Sequence, residues 1–194
     1  DSMPAGSATA VFLASDIVRP VIPEPTFDFN LARKSLREAP LTDRATDTVV
    51  TVVPSVGNIA TAMRVKGHDV LRFPHASLAD FKARPGATGI PFMGPWANRL
   101  DEAAFYANGR RHPFDLSLGN IRGETPIHGF LTTTDRWQVV AMSATADAAL
   151  VTSRLEVYRQ PAWMRQWPFA HTVEITYRLA DGVPKWKGDV RGED

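Results

Sequence analysis

The chain of 194 residues is predicted to fold as an all-β domain, an antiparallel β-sandwich. Three observations carry that prediction. First, His171 to Leu179 alternates strictly, with Val173, Ile175, Tyr177 and Leu179 falling on one face. Second, Asn108-Gly109 separates Ala103–Ala107 from Arg110–Phe114. Asn and Gly both tolerate positive φ, so this pair closes a type I′ hairpin. Third, helical periodicity nearly vanishes after residue 46, while short β-branched runs recur at regular spacing.

Residues 1–46 differ from the rest and are expected to form an N-terminal arm or linker. Pro20, Pro23 and Pro25 interrupt Ile17–Phe29, and the stretch from Leu31 to Glu38 has the composition of two helical turns ahead of Pro40. The β domain is expected over 47–194. Thr48-Val-Val-Thr-Val-Val reads as a strand, followed by a turn at Pro54–Asn58. Ile59–Val65, a tight turn at Lys66–Asp69 and Val70–Phe73 continue a meander. Residues 74–102, with Pro74, Pro85, Pro91 and Pro95, read as a long irregular segment, a place where function is often carried. Trp137–Ala141 and Ala149–Tyr158 alternate as strands, and Asp181-Gly182 is a turn signal after His171–Leu179. A partner strand should follow, but Val183-Pro-Lys-Trp-Lys-Gly-Asp-Val-Arg-Gly-Glu-Asp has a proline and a run of charges there. The expectation is a hairpin that starts and does not finish.

Composition narrows the function classes. Hydrophobic residues make up 44% and charged residues 22%, the balance of an ordinary folded domain. Lys plus Arg is 22 against 21 for Asp plus Glu, a net charge of +1, so no nucleic-acid partner is suggested. No cysteine is present, which removes a thiolate nucleophile, a disulfide framework and any Cys-based zinc site. No apolar run approaches the 18 or so residues that cross a bilayer, so no membrane partner is expected. Asp1–Asn30 has no signal-peptide pattern, and a soluble, cytoplasmic location is favoured over a secreted one. The dinucleotide glycine fingerprint, the P-loop, the HExxH helix and the GxSxG elbow are all absent. The histidines at 68, 75, 112, 128 and 171 are not spaced as a local metal pair, and neither metal nor cofactor is expected. His68 and His112, in or beside hairpin turns, are expected to be solvated.

Three stretches could carry chemistry. Pro91-Phe-Met-Gly-Pro-Trp-Ala-Asn-Arg sets Asn98 and Arg99 beside Trp96 on a proline-stiffened backbone. Arg99 could pair with a core carboxylate, or bind a polar ligand with its fork of donors while the indole of Trp96 stacks on a sugar face. Thr125-Pro-Ile-His-Gly-Phe holds His128 on a stiff frame, as a core histidine bonded to backbone or as a general acid/base group. Trp163, Trp167 and Phe169 could line a groove or simply pack as a cluster.

Taken together, and in order, these pieces resemble the aldose 1-epimerases, or galactose mutarotase-like proteins. Val49-Val-Thr-Val-Val-Pro-Ser-Val-Gly-Asn-Ile resembles the opening strand and glycine turn, and Pro95-Trp-Ala-Asn-Arg-Leu the Asn-Arg motif. Phe105-Tyr-Ala-Asn-Gly-Arg resembles the next hairpin, and Pro126-Ile-His-Gly the motif of the first catalytic histidine. Trp167-Pro-Phe-Ala-His-Thr-Val-Glu-Ile-Thr-Tyr-Arg-Leu resembles a later strand. The resemblance runs from about Thr48 to Val183. It implies a galactose mutarotase-like supersandwich that interconverts the α and β anomers of a free aldose, an aldohexose, by acid/base ring opening, without cofactor. By the same resemblance His128 is catalytic, and Arg99, Asn98 and Trp96 are substrate-binding. His171 matches no catalytic position and is expected to be structural. The family's second histidine motif, its substrate-binding aspartate and its base glutamate have no counterpart here. The sandwich is therefore expected to be truncated at its C-terminus and poorly active alone. The alternative is a non-catalytic carbohydrate-binding sandwich. A cut edge at His171–Leu179 would invite self-association or a complementary C-terminal chain.

Overall fold

The computed structural model describes residues 38–193. The short helix expected over 31–38 therefore lies almost wholly outside the described residues. The remainder is antiparallel β, as the periodicity predicts, with only two six-residue α-helices among the described residues.

The first sheet has the order β1-β2-β3-β4, built from β1 (Ala39–Asp43), β2 (Thr48–Val53), β3 (Ile59–Val65) and β4 (His68–Asp69). The expected boundary at 46/47 falls within its first hairpin, because Ala39 to Asp43 pair with Val52 to Thr48. By sequence Pro40 is expected to stop a helix. It sits instead in an edge strand, where its missing N–H costs no ladder bond. Strand β4 ends at Asp69, so the run Val70–Phe73 lies outside the ladder. The irregular segment that follows contains α1 (Leu78–Ala83), capped by Ser77, whose hydroxyl accepts from the Asp80 N–H at 3.1 Å. Phe81 is fully buried and packs with Val53, Val56 and Ile59 in a small satellite core.

Strands β5 (Ala104–Ala107) and β6 (Arg110–Pro113) form the expected hairpin. Asn108 and Gly109 have φ of 52° and 71°, the two left-handed positions that a type I′ turn demands. The short pair β7 (Ile121–Arg122) and β8 (Thr125–Pro126) follows.

The second large sheet has the order β12-β11-β10-β9, from β9 (Gln138–Ala144), β10 (Ala149–Glu156), β11 (His171–Ala180) and β12 (Val183–Gly192). Along β10 burial alternates strictly, with Ala149, Val151, Ser153 and Leu155 inward. Between β10 and β11 lies α2 (Pro161–Gln166), with proline in its first turn. The unfinished hairpin is a correction. Asp181 and Gly182 turn the chain at φ of 52° and 69°, and β12 pairs with β11 from Val183 to Gly192 without a register shift. Pro184 is tolerated because β12 is the edge. Strand β11 accordingly has partners on both sides, and the free edge lies one strand further out.

The two sheets share one core. Leu41, Val50 and Val52 from the first pack with Val151, Leu155, Ile175 and Leu179 from the second. Each such side chain contributes about 1.5–3 kcal/mol on burial. At one end the Asp43 carboxylate joins the sheets. Its Oδ2 accepts the Gly182 N–H at 2.7 Å, and its Oδ1 accepts from Ala45 at 3.0 Å. These backbone donors, Gly182 first, hold its carboxyl below the usual aspartate range. Across the core, the Tyr177 hydroxyl donates to the Asn58 carbonyl at 2.9 Å.

Candidate functional site

The site begins as backbone. The loop after Pro91 and the loop around His128 are laced side by side, with Arg99 opposite Ile127 in an antiparallel bridge and Gly94 opposite Gly129 in a parallel one. The His128 N–H donates to the Asn98 carbonyl at 2.9 Å, and the Leu100 N–H to the Pro126 carbonyl at 3.1 Å. The Gly94 carbonyl accepts from Phe130 at 2.9 Å and from Leu131 at 3.1 Å. Such close approach needs Gly129. A Cβ there would lie 1.8 Å from the Gly94 oxygen, on a residue whose φ is +63°.

Both polar residues of the pair are left-handed, Asn98 at φ 62° and His128 at φ 58°. Asparagine adopts this conformation readily. Histidine holds it at a cost of about 1 kcal/mol. In return the ring is fixed. The Asn98 backbone N–H donates to His128 Nδ1 at 3.0 Å. Because Nδ1 accepts, the neutral ring carries its proton on Nε2, and no protein group among the described residues occupies Nε2.

His128 borders an open cavity of about 460 Å³, in the size range of small-molecule sites. Its wall is built from the 85–93 segment (Pro85, Pro91 and Met93 among others), from Asn120 and Arg122, and from Ile127 and Thr132. Among the described residues Arg122 is the only formally charged side chain in that wall, and no carboxylate borders it. Asn120 was not singled out from the sequence, yet it secures the histidine loop. Its Nδ2 donates to the Gly129 carbonyl at 3.1 Å and to Thr132 Oγ1 at 3.2 Å, and its backbone bonds Gly129 and Ile127. A lone Asn between hairpin residues carries no sequence signal, because its partners lie nine and twelve residues away.

The structure thus brings Asn98, Arg99 and His128 into one backbone neighbourhood. Arg99 is exposed, and among the described residues no carboxylate pairs with its guanidinium. The core-carboxylate reading of Arg99 is therefore set aside. Trp96 is placed elsewhere. Its ring lies 4.5 Å from that of Phe114, 6.0 Å from Phe130 and 6.1 Å from Trp167; like Asn98 and Arg99, it is not among the residues that border the His128 cavity. Phe105, Trp167 and Phe169 join the same cluster, so this stretch packs rather than lining the cavity. His112, expected in solvent, belongs there too: it stacks on Phe105 at 4.7 Å because the type I′ hairpin sets 105 and 112 opposite each other. His171 is buried, with Nδ1 donating to the Phe169 carbonyl at 2.6 Å. Among the described residues no group of three His, Asp or Glu side chains is placed to hold a metal ion, and no helix is long and apolar enough to cross a membrane.

Comparison with known proteins gives the arrangement its context. Slr1438 from Synechocystis sp. PCC 6803 shares the fold at a TM-score of 0.63 and 21% identity, over 80% of this chain and 48% of that one. A galactose mutarotase-like protein from Clostridium acetobutylicum superposes at 0.65 and 24% identity, over 74% of this chain and 42% of that one. A galactose mutarotase related enzyme from Lactobacillus acidophilus does so at 0.54 and 13% identity, over 80% and 43%. The chain spans less than half the length of each. The fold is galactose mutarotase-like. The family described as aldose 1-epimerase matches residues 41–184, from the first strand through the laced loops to the start of β12. A match over that much of the chain, on a shared fold, makes it a member of the aldose 1-epimerase family.

Proposed function

We propose that the chain carries the histidine-bearing part of an aldose 1-epimerase site, acting on the anomeric centre of a free aldose, an aldohexose. The observation that carries this reading is the Asn98 N–H to His128 Nδ1 bond, which turns Nε2–H into a donor of fixed orientation at an open cavity. In ring opening a base takes the C1 hydroxyl proton, the bond from C1 to the ring oxygen breaks, and the electron pair moves onto that oxygen. A fixed donor is most useful there, where negative charge accumulates. Arg99, unpaired among the described residues and adjacent in the backbone, would hold sugar oxygens through its planar fork, with Asn98 positioning the ring. Trp96 would support the loop from its aromatic cluster.

A second reading, carbohydrate binding without turnover, is favoured by one observation: among the described residues no carboxylate borders the cavity. Epimerisation needs a base as well as a donor, so this chain alone is expected to turn over poorly. Two measurements test these readings. In any form of this site that turns over, His128→Ala should lower the NMR-monitored anomerisation rate about 100-fold or more, the scale of one acid/base group. Normal turnover in that variant sinks the assignment. Titration of this chain with glucose or galactose should shift Asn98 and His128 amide resonances, and unmoved resonances at saturating sugar would remove both readings.

A further inference from the structure

We propose that β12 is a self-pairing edge, through which two copies of this chain join antiparallel about a two-fold axis at Gly188. The argument starts from hydrogen-bond parity. Just beyond the ladder, the Glu193 N–H donates to the Ala170 carbonyl at 2.9 Å, in register with His171 opposite Gly192. Odd-numbered residues of β12 therefore direct their N–H and C=O groups toward β11, and even-numbered ones direct theirs outward. Pro184 is even, so its missing N–H costs nothing inside the sheet.

The side chains divide along the same parity. Trp186 lies opposite Tyr177 and Val190 opposite Val173, both on the face that carries the core. Among the described residues nothing covers them: Trp186 is 56% and Val190 69% exposed. Lys185, Lys187, Asp189 and Arg191 occupy the outer face.

Outward groups can bond only to outward groups, so even must meet even across the new edge. Three near-central registers satisfy that. An axis at residue 187 sets Lys185 opposite Asp189 but Lys187 against its own copy, and leaves Trp186 opposite Gly188 with no side chain to pack on. One at 189 sets aspartate against aspartate and Lys187 against Arg191. An axis at Gly188 sets Trp186 opposite Val190 of the second copy, and Lys187 opposite its Asp189, twice over by symmetry. Aromatic against β-branched and opposite charges are the favourable cross-strand pairs. Lys187 and Asp189 already lie 3.0 Å apart within one strand, so pairing builds a charge-alternating cluster of four. Lys185 would face Arg191, whose charge is partly met by Glu174 at 3.8 Å. A Cβ at Gly188 would meet nothing within 4 Å, which leaves the axis open. The lysines and Pro184 are the kind of residue that guards an edge. The Gly188 register is the one in which Asp189 offsets Lys187.

The test uses the full chain. Sedimentation should show a weight-average mass rising with concentration toward twice that of one chain. Val190→Pro deletes an outward N–H and the β-branched partner of Trp186, both on the proposed seam, and should abolish the rise while circular dichroism stays unchanged. Lys187→Asp should raise the dimer Kd about tenfold, and adding Asp189→Lys should restore it. Because the chain lacks cysteine, Gly188→Cys should cross-link to its own copy on mild oxidation, faster than Lys185→Cys. A monomer at every accessible concentration would overturn the proposal. So would a dimer indifferent to Val190→Pro, or a charge exchange that fails to rescue. If Val190→Pro does not fold, the cross-linking contrast decides alone, and equal rates at 188 and 185 would reject the register.

Discussion

Asn98 and His128 hold each other twice: the His128 N–H donates to the Asn98 carbonyl at 2.9 Å, and the Asn98 N–H donates to His128 Nδ1 at 3.0 Å. Two residues at positive φ, thirty positions apart, thus form one closed unit. The imidazole is held by main chain and not by a carboxylate, so its tautomer follows from the loop's conformation.

That unit predicts opposite tautomers for two histidines. Long-range nitrogen–proton NMR of the neutral rings should place the proton on Nε2 in His128 and on Nδ1 in His171, whose Nδ1 faces the Phe169 carbonyl. An Nδ1–H tautomer at His128 would mean that the Asn98 contact does not form in solution.

Gly129→Ala should be severely destabilising. The added Cβ collides with the Gly94 carbonyl, and a left-handed φ adds strain, so a loss of about 3 kcal/mol or more is expected from urea unfolding. Gly109→Ala also meets a positive φ, but its Cβ would touch nothing, and it should lose about 1 kcal/mol.

Asn120→Ala should separate site from fold. It removes side-chain donors from the Gly129 carbonyl and Thr132 Oγ1, a loss of about 1–2 kcal/mol. Amide exchange should quicken around His128 and Gly129 while β10 and β11 keep their protection. Equal loosening throughout would argue against a local role.

Stability should fall at both ends of the pH scale, for different residues. Asp43 has a depressed pKa, because the Gly182 N–H and its neighbours stabilise the carboxylate. Its contribution is complete above the usual aspartate range near 4 and disappears as pH falls below it. Asp43→Ala should flatten the acid limb of a thermal-melt profile. Tyr177 is shifted the other way, since burial disfavours its phenolate. Its contribution is complete below the ordinary tyrosine value near 10 and is lost as pH rises beyond it. Of the three tyrosines, spectrophotometric titration should show one that resists ionisation until the chain unfolds, and Tyr177→Phe should remove it.

Local chemistry in the sequence determined most of the strands and the tight turns. Alternation over His171–Leu179, the β-branched run at Thr48–Val53 and Asn108-Gly109 each encode their geometry within a few residues. Order and spacing of the motifs likewise carried the family. What needed the tertiary structure was everything settled by a distant partner. Pro40 and Pro184 read as stops, but both lie in strands, because an edge position spares the N–H that proline lacks. Trp96 has the composition of a sugar platform and packs on Phe114, a choice made by the hairpin that delivers Phe114. His128 was visible as a candidate. Its tautomer, its cavity and its dependence on Asn120 were not, since each is a contact between segments that only folding brings within hydrogen-bond reach.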